Sequence, residues 1–355
     1  MNDWQISSLY RYGFSVMPAF AAPASPALDH SSSPLVSILL IAYGQQHVVA
    51  DAVRGALAQT WSPLEILISD DASSDDTFNV IQQTVRDYTG PHHIVLNRNA
   101  QNMGISAHLS KLARMSHGEL LVVMAGDDIS VPQRCTRLVQ TWLAHERRPD
   151  LIASDLMELD GGDGNTAPGL IVPTDLNAYH GFDDWRAHRP WLVGAAHAWS
   201  RRLFERFGDM QPGSAAEDQI MTFRAIMTGG AISLHEPLVR YRRGGLSGRK
   251  RWATVSSYVA HQQRSNRYVL AELAQLQQDA CTADVGEEMR AALAPKLARE
   301  RWMHDIFAAR GLEARLRLLL GGHAVKVGFR IRMFLYATMP WVYAPVFALK
   351  RWNNQ

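Results

Sequence analysis

The fold class this sequence predicts is α/β, a mostly parallel sheet flanked by helices with a helical extension at its C-terminal end. Three observations predict it. Apolar runs of strand length alternate with helix-length segments over residues 35–125, the pattern of parallel strands joined by crossover helices. The first run, LVSILLIAY at 35–43, is apolar almost throughout, as a strand buried on both faces must be. Acidic residues gather where these runs end, and in such sheets ligands bind beyond the carboxyl ends of the strands.

The elements follow in order. Residues 1–33 hold a short apolar run broken by Pro18 and Pro23, with Asp3 where an export signal would place basic residues, so they read as a flexible leader. After the first strand, VVADAVRGALAQ is helix-like and LEILISDD is a strand ending at Asp71. SSDDTFNVIQQTVRDY is a helix that Ser73 or Ser74 can cap. HHIVLN, GISAHLSKLARMS and ELLVVMAG supply a third strand, a helix and a fourth strand. RRPDLIASDLMELDGGDGN reads as a strand and a turn, and WLVGAAHAWSRRLFERFG as a looser region. AAEDQIMTFRAIMTGG is a helix that opens on Glu217 and Asp218 and ends at Gly229 and Gly230. AISLHEPLVRYRRGGLSG gives a short strand and a basic loop, and from Trp252 onward the chain is mostly helical, with a second long helix over about 287–310.

With 355 residues, 47% of them hydrophobic, the chain can bury a full core. Its two cysteines, Cys135 and Cys281, lie far apart and outside any CxxC spacing, which argues against a disulfide framework or a structural zinc and for a reducing setting. The formal net charge is +2, yet 310–355 carries eight basic residues against one acid, so that tail calls for an anionic partner.

Two adjacent carboxylate pairs carry the chemistry. Asp70 and Asp71 end the second strand, and Asp127 and Asp128 follow the fourth, with Tyr43 at the end of the first. A lone pair of aspartates is ordinary turn chemistry. Two pairs on one sheet edge give a crevice a strongly negative lip, where a divalent cation settles and a phosphate can complete its shell.

In order along the chain, VSILLIAY, ALAQTW, EILISDDASSDDT, NMGISAHLSKLARMSHGELLVVMAGDD, AEDQIMTFRA and LVRYRRGGLS resemble the pattern of family 2 glycosyltransferases, inverting enzymes of the Rossmann-like GT-A fold, of the bacterial cell-surface polysaccharide type. The resemblance spans about 36–247. It implies a GT-A domain over 34–248 and a helical region over 249–355. It also implies transfer of a sugar from a nucleotide-diphosphate donor, expected to be a UDP-sugar, to a glycan or lipid-linked glycan, assisted by Mg2+ or Mn2+. Tyr43 and Asp71 would then contact the base, Asp70 would support that pocket, Asp127 would lie near the ribose and Asp128 would hold the metal. Asp218 would be the base that deprotonates the acceptor, and Arg242, with Arg240 and Arg243, would belong to a loop over the diphosphate. Gly44 and Ala125 depart from the family's usual Asn and acid. His197 and His235 read as core histidines.

Two other readings compete with this one. A nucleotidyltransferase would carry a Gly-rich, basic loop after the first strand, where GQQHVV stands instead. A non-catalytic nucleotide-sugar or lipid-binding protein would need no base at Asp218. The uncharged stretch 333–349, flanked by arginine and lysine, reads as a membrane-surface segment, which makes the chain peripheral on the cytoplasmic face of a membrane. Its continuous apolar residues do not suit nucleic acid, and oligomeric state is not legible.

Overall fold

The computed structural model describes residues 33–159, 168–243, 254–345 and 347. The leader 1–32, the turn over 160–167, the end of the basic loop with Trp252 (244–253) and the last residues of the tail lie outside these.

The described strands form one sheet, in the order β3 (His93–Arg98), β2 (Leu64–Asp70), β1 (Val36–Ala42), β4 (Leu120–Ala125), β8 (His197–Ser200), β6 (Leu151–Glu158), β9 (Ala231–Tyr241) and β5 (Ile129–Ser130), with β7 (Leu170–Ile171) on β6. β3, β2, β1 and β4 are mutually parallel, so their carboxyl ends share one edge. β8 is antiparallel to both β4 and β6, while β9 runs parallel to β6.

Alternation explains the unbroken apolar runs. On β1, Val36, Ile38 and Leu40 join one core with α1 (Val49–Leu57) and α4 (Arg134–Ala144), while Leu39 joins the other with α3 (Ile105–Met115) and α7 (Glu217–Ile226). Both faces are covered, so a polar residue on β1 must be satisfied internally, as Ser37 is by donating to Glu65 and accepting from Gly118 N–H. α2 (Thr77–Val85) adds Ile81 to the first core. Neither Ser73 nor Ser74 caps α2, whose N-cap is Asp76 and lacks a side-chain cap bond; Ser73 is drawn instead to Asp70.

The short α5 (Phe182–Ala187) and α6 (Arg201–Phe207) flank β8, and α8 (Val255–Thr282) and α9 (Gly286–Ala308) follow. Leu273 and Leu276 of α8 and Met289 and Leu293 of α9 share the core that contains Leu39 and Phe223. Buried Arg224 of α7 fixes this junction, donating to both oxygens of Asp279 at 2.7 and 3.0 Å and to the Gly208 carbonyl at 2.9 Å. Arg224→Ala would strand a buried carboxylate, so chemical denaturation should show a loss of about 3 kcal/mol.

The last elements are α10 (Leu312–Gly321) and α11 (Val327–Thr338). The stretch read as membrane-facing is corrected in part. Met333, Phe334 and Tyr336 are buried with Trp302 and Ile306 of α9, and Tyr336 stacks on Tyr343 at 4.2 Å, because α11 turns that stripe onto its own chain. Trp341 and Val342 remain exposed. Among the described residues no helix is long and apolar enough to cross a membrane.

Candidate active site

The ends of β1 and β2 are knitted together. Asp71 N–H donates to the Ala42 carbonyl at 2.9 Å, and Gly44 N–H to Ser73 Oγ at 2.9 Å. Gly44 has φ +65°, a left-handed conformation that glycine adopts without penalty, which accounts for glycine after Tyr43. Tyr43 itself is exposed at the mouth of this edge.

Both carboxylates of the first pair are buried and organise the loops around them. Asp70 accepts from the N–H and hydroxyl of Ser73 and pairs with Arg98 at 3.3 Å. Asp71 Oδ1 accepts from Asn99 Nδ2 at 2.7 Å and Met103 N–H at 2.9 Å, and its Oδ2 accepts from Gly104 N–H at 2.9 Å. These three donors hold the entry to α3. A carboxylate has about four acceptor positions, so Asp71 retains capacity for one further donor. Behind it, burial holds His108 down to about 4, against the opposing pull of Asp71, so this imidazole is neutral; it meets Ser69 Oγ at 2.6 Å.

Ala72 follows at φ +60°, where a β-carbon is strained. Ala72→Gly should therefore raise stability by roughly 0.5–1 kcal/mol, and a thermal melt would register this as a higher Tm.

The second pair follows β4, on the other side of β1 from the first. Gly126 N–H donates to the Ile41 carbonyl at 2.9 Å, and a β-carbon on Gly126 would fall 2.9 Å from Ala42 Cβ and 3.2 Å from Ala42 Cα, so glycine lets β4 end close against β1. Gln45 hydrogen-bonds Asp127. Arg242, just past β9, closes the group: its N–H donates to Asp128 Oδ1 at 2.8 Å and its Nε to the Asp127 carbonyl at 3.2 Å. Burial pushes Asp128 up to about 7, and the neighbouring Asp127 charge adds to this; Asp127 is itself raised by burial. Tyr43, Asp70, Asp71, Asp127, Asp128 and Arg242 thus gather on one edge. Arg240 is not in the loop but in β9, paired with Ile129, and Arg243 binds Glu158.

Among the described residues no group of three or more His, Cys, Asp or Glu converges to hold a metal by itself. A buried carboxylate beside a second one matches the alternative way of holding Mg2+ or Mn2+, through one or two carboxylates, waters and substrate phosphate oxygens.

Asp218 lies in the first turn of α7, with its Oδ1 accepting Gln219 N–H at 2.7 Å. Burial lifts it to about 6; the Gln219 bond opposes this, Glu272 raises it further and Arg189 lowers it. Its neighbour Glu217 is buried and held well above the ordinary carboxylate range by that burial and by Asp218. No hydrogen bond joins Asp218 to Asp128. The turn Gly194–Ala196 touches both neighbourhoods: Arg134 donates to the Ala195 carbonyl at 2.7 Å, and a β-carbon on Gly194 would fall 2.2 Å from Glu217 Oε1 and 4.0 Å from Asp218 Cβ. Arg134 is wholly buried, donates to Ser130 Oγ at 2.8 Å and interacts with the Asp128 charge.

Sequence reasoning missed Gln45, Arg134 and Arg189. Gln45 was legible as a polar residue two places past a strand end. Arg134 has the outward signature of any helix-start arginine, and Arg189 acquires its place through residues distant in sequence, Glu272 at 2.7 Å on α8 and Gln219 at 3.5 Å, and through the Trp185 ring. His197 is a core histidine, which burial, helped by Arg134, holds down to about 3. His235 is not: it is half exposed and pairs with Asp155 at 3.5 Å, because β9 turns it outward.

A mostly parallel sheet whose carboxyl edge gathers buried aspartates and an arginine has the GT-A-like architecture. Residues 37–157 of the chain match the model of glycosyl transferase family 2. Among its relatives is the putative glycosyltransferase EpsE of Bacillus subtilis (strain 168), 26% identical over 130 residues, or 37% of this chain and 46% of EpsE. Another is the UDP-Glc:alpha-D-GlcNAc-diphosphoundecaprenol beta-1,3-glucosyltransferase WfaP of Escherichia coli, 28% identical over 105 residues, or 30% of this chain and 40% of WfaP. The chain thus spans under half the length of these curated relatives. Among solved structures, TarS of S. aureus shares the fold with a TM-score of 0.53 at 12% identity, over 85% of this chain and 52% of TarS. A TarS 1–349 structure in complex with UDP-GlcNAc aligns with a TM-score of 0.50 at 13% identity, over 85% of this chain and 90% of that one.

Proposed function

We propose that this chain is an inverting glycosyltransferase that moves a sugar from a nucleotide-diphosphate donor, a UDP-sugar, to a glycan or lipid-linked glycan at the cytoplasmic face of a membrane, in cell-surface polysaccharide assembly. The observation that carries the reading is the group formed by Asp127, Asp128 and Arg242 at the edge where β1 and β2 also end. Names of relatives support it: EpsE is a putative glycosyltransferase, and the name of WfaP describes a UDP-Glc donor and a diphosphoundecaprenol-linked acceptor.

In this reading Tyr43 and the remaining acceptor position of Asp71 meet the base, with Asp70 holding the Ser73 loop in place. Asp127 lies near the ribose. Asp128 holds Mg2+ or Mn2+, which when bound would neutralise charge on the diphosphate leaving group. Arg242 offers its guanidinium to the phosphate oxygens. Asp218 takes the proton of the acceptor hydroxyl while that oxygen bonds to the anomeric carbon, the bond from that carbon to the diphosphate breaks, and the configuration inverts.

A screen of nucleotide sugars by thermal shift, with and without Mn2+, tests this. One donor should raise Tm by several degrees in a metal-dependent way. No rise with any donor would contradict it.

A further inference from the structure

We infer that the outer faces of α10 and α11 form a docking surface for an anionic lipid bilayer, distinct from the inward-turned part of the 333–349 stretch. This deepens the membrane-face setting proposed above and rests on it, but its test does not depend on turnover.

Leu312, Leu316 and Leu320 recur at every fourth residue of α10 and are all exposed, at 56%, 39% and 72%. Val327 and Ile331 do the same on α11, at 59% and 46%, followed by Trp341 at 69%. That spacing puts each set on one helical face. Arg317 of α10 and Arg332 of α11 are exposed, as are Arg310 just before α10 and Lys326 at the N-cap of α11, and Glu313 is the one acid from 310 to 345. Apolar stripes bordered by basic residues, with an exposed tryptophan, are the chemistry of a helix lying in the headgroup region of an anionic membrane.

The surface is also built. Arg315 donates to the Ala309 and Ala337 carbonyls at 3.2 and 2.5 Å, tying the ends of α9 and α11 to α10. Arg330 donates to the Leu319 carbonyl at 2.6 Å, and Trp302 to that of Leu318 at 3.0 Å. With the helices locked inward by these bonds and by the Trp302–Met333 core, the leucine stripe cannot turn to bury itself on its own chain. Charge complementarity selects the occupant: Arg317 is paired with Glu313, but a purely apolar protein groove would leave Arg310, Lys326 and Arg332 without counter-charges, whereas anionic headgroups supply them.

The test is co-sedimentation of the full chain with vesicles of phosphatidylcholine alone or mixed with phosphatidylglycerol. Wild type should bind the anionic vesicles preferentially, and Leu316→Glu/Leu320→Glu should weaken that binding by about tenfold or more, while keeping the wild-type circular dichroism spectrum. Leu170→Glu, at an equally exposed leucine on β7, serves as control and should bind as wild type does. Lys326→Glu/Arg332→Glu should weaken binding to anionic vesicles and leave that to neutral ones unchanged. Failure of wild type to bind, or unchanged binding by the double leucine variant, would overturn the inference. So would a wild-type dimer that this variant converts to monomer with vesicle binding intact, which would assign the stripe to a second copy of the chain.

Discussion

Asp218→Asn is expected to lower turnover by about 10²–10⁴-fold while leaving metal-dependent donor binding near its wild-type level. The amide keeps the size of the side chain and can still accept from Gln219 N–H, so the opening of α7 should persist. What it loses is the capacity to take a proton. The same assignment fixes a pH profile. Asp218 is pushed up to about 6 by burial, and the reactive form is the carboxylate, present above that value. As pH falls through 6 the base is protonated, and kcat should drop about tenfold for each further unit. At saturating Mn2+, which would keep Asp128 ionised, this limb should disappear from the residual rate of Asp218→Asn. Measuring kcat and donor binding side by side separates a transferase from a binding protein, for which this substitution would change neither.

The second expectation concerns the other end of the reaction. Asp128→Asn should abolish the metal-dependent part of donor binding and reduce turnover by about 10²-fold or more, because the leaving diphosphate loses several kcal/mol of charge stabilisation. A donor at about 100 times its Kd stabilises a protein by about 2.7 kcal/mol, or roughly 4 °C in a chain of this size. That rise should vanish in the variant with Mn2+ present. The fold should survive the change, since the asparagine oxygen can still accept the Arg242 N–H that now binds Asp128. Isothermal titration of donor and metal into both proteins checks this, with equal metal-dependent affinity in the two as the outcome that removes Asp128 from the metal site.

The parts of the fold that were legible in the sequence are those set by local pattern. β1, β2, β3 and β4 were readable because both of their faces meet helices or, at the edge, because β-branched residues cluster between turns. β8 was not. It is four residues long, its Ala198 and Trp199 enter different cores, and it exists as a strand only because β4 and β6 leave room for an antiparallel insert. β9 exceeded expectation for a similar reason: Pro237 and a register shift interrupt its pattern, and pairing with β6 and β5 carries it through.

The site divides along the same line. Asp127 and Asp128 stand out because they repeat, at a second strand end of the same edge, a carboxylate pair that alone would be ordinary turn chemistry. That Asp70 and Asp71 would be filled with donors from Ser73, Asn99 and the α3 entry could not be read, since those partners lie up to 33 residues away. The tail shows the limit most clearly. An uncharged run at 333–349 carries no signal of which side turns inward, whereas LEARLRLLL at 312–320 resembles an ordinary core helix and is instead exposed along its leucines.

The central claim is that the buried aspartates at the carboxyl edge form one donor site with Arg242. Anomalous diffraction from crystals grown with UDP and Mn2+ tests it most directly. The account predicts a manganese peak on the Asp128 carboxylate, bridged to the diphosphate, with Arg242 against its oxygens and the uracil beside Tyr43 and Asp71. A nucleotide bound with its metal elsewhere on the chain, leaving Asp128 without a ligand, would contradict it.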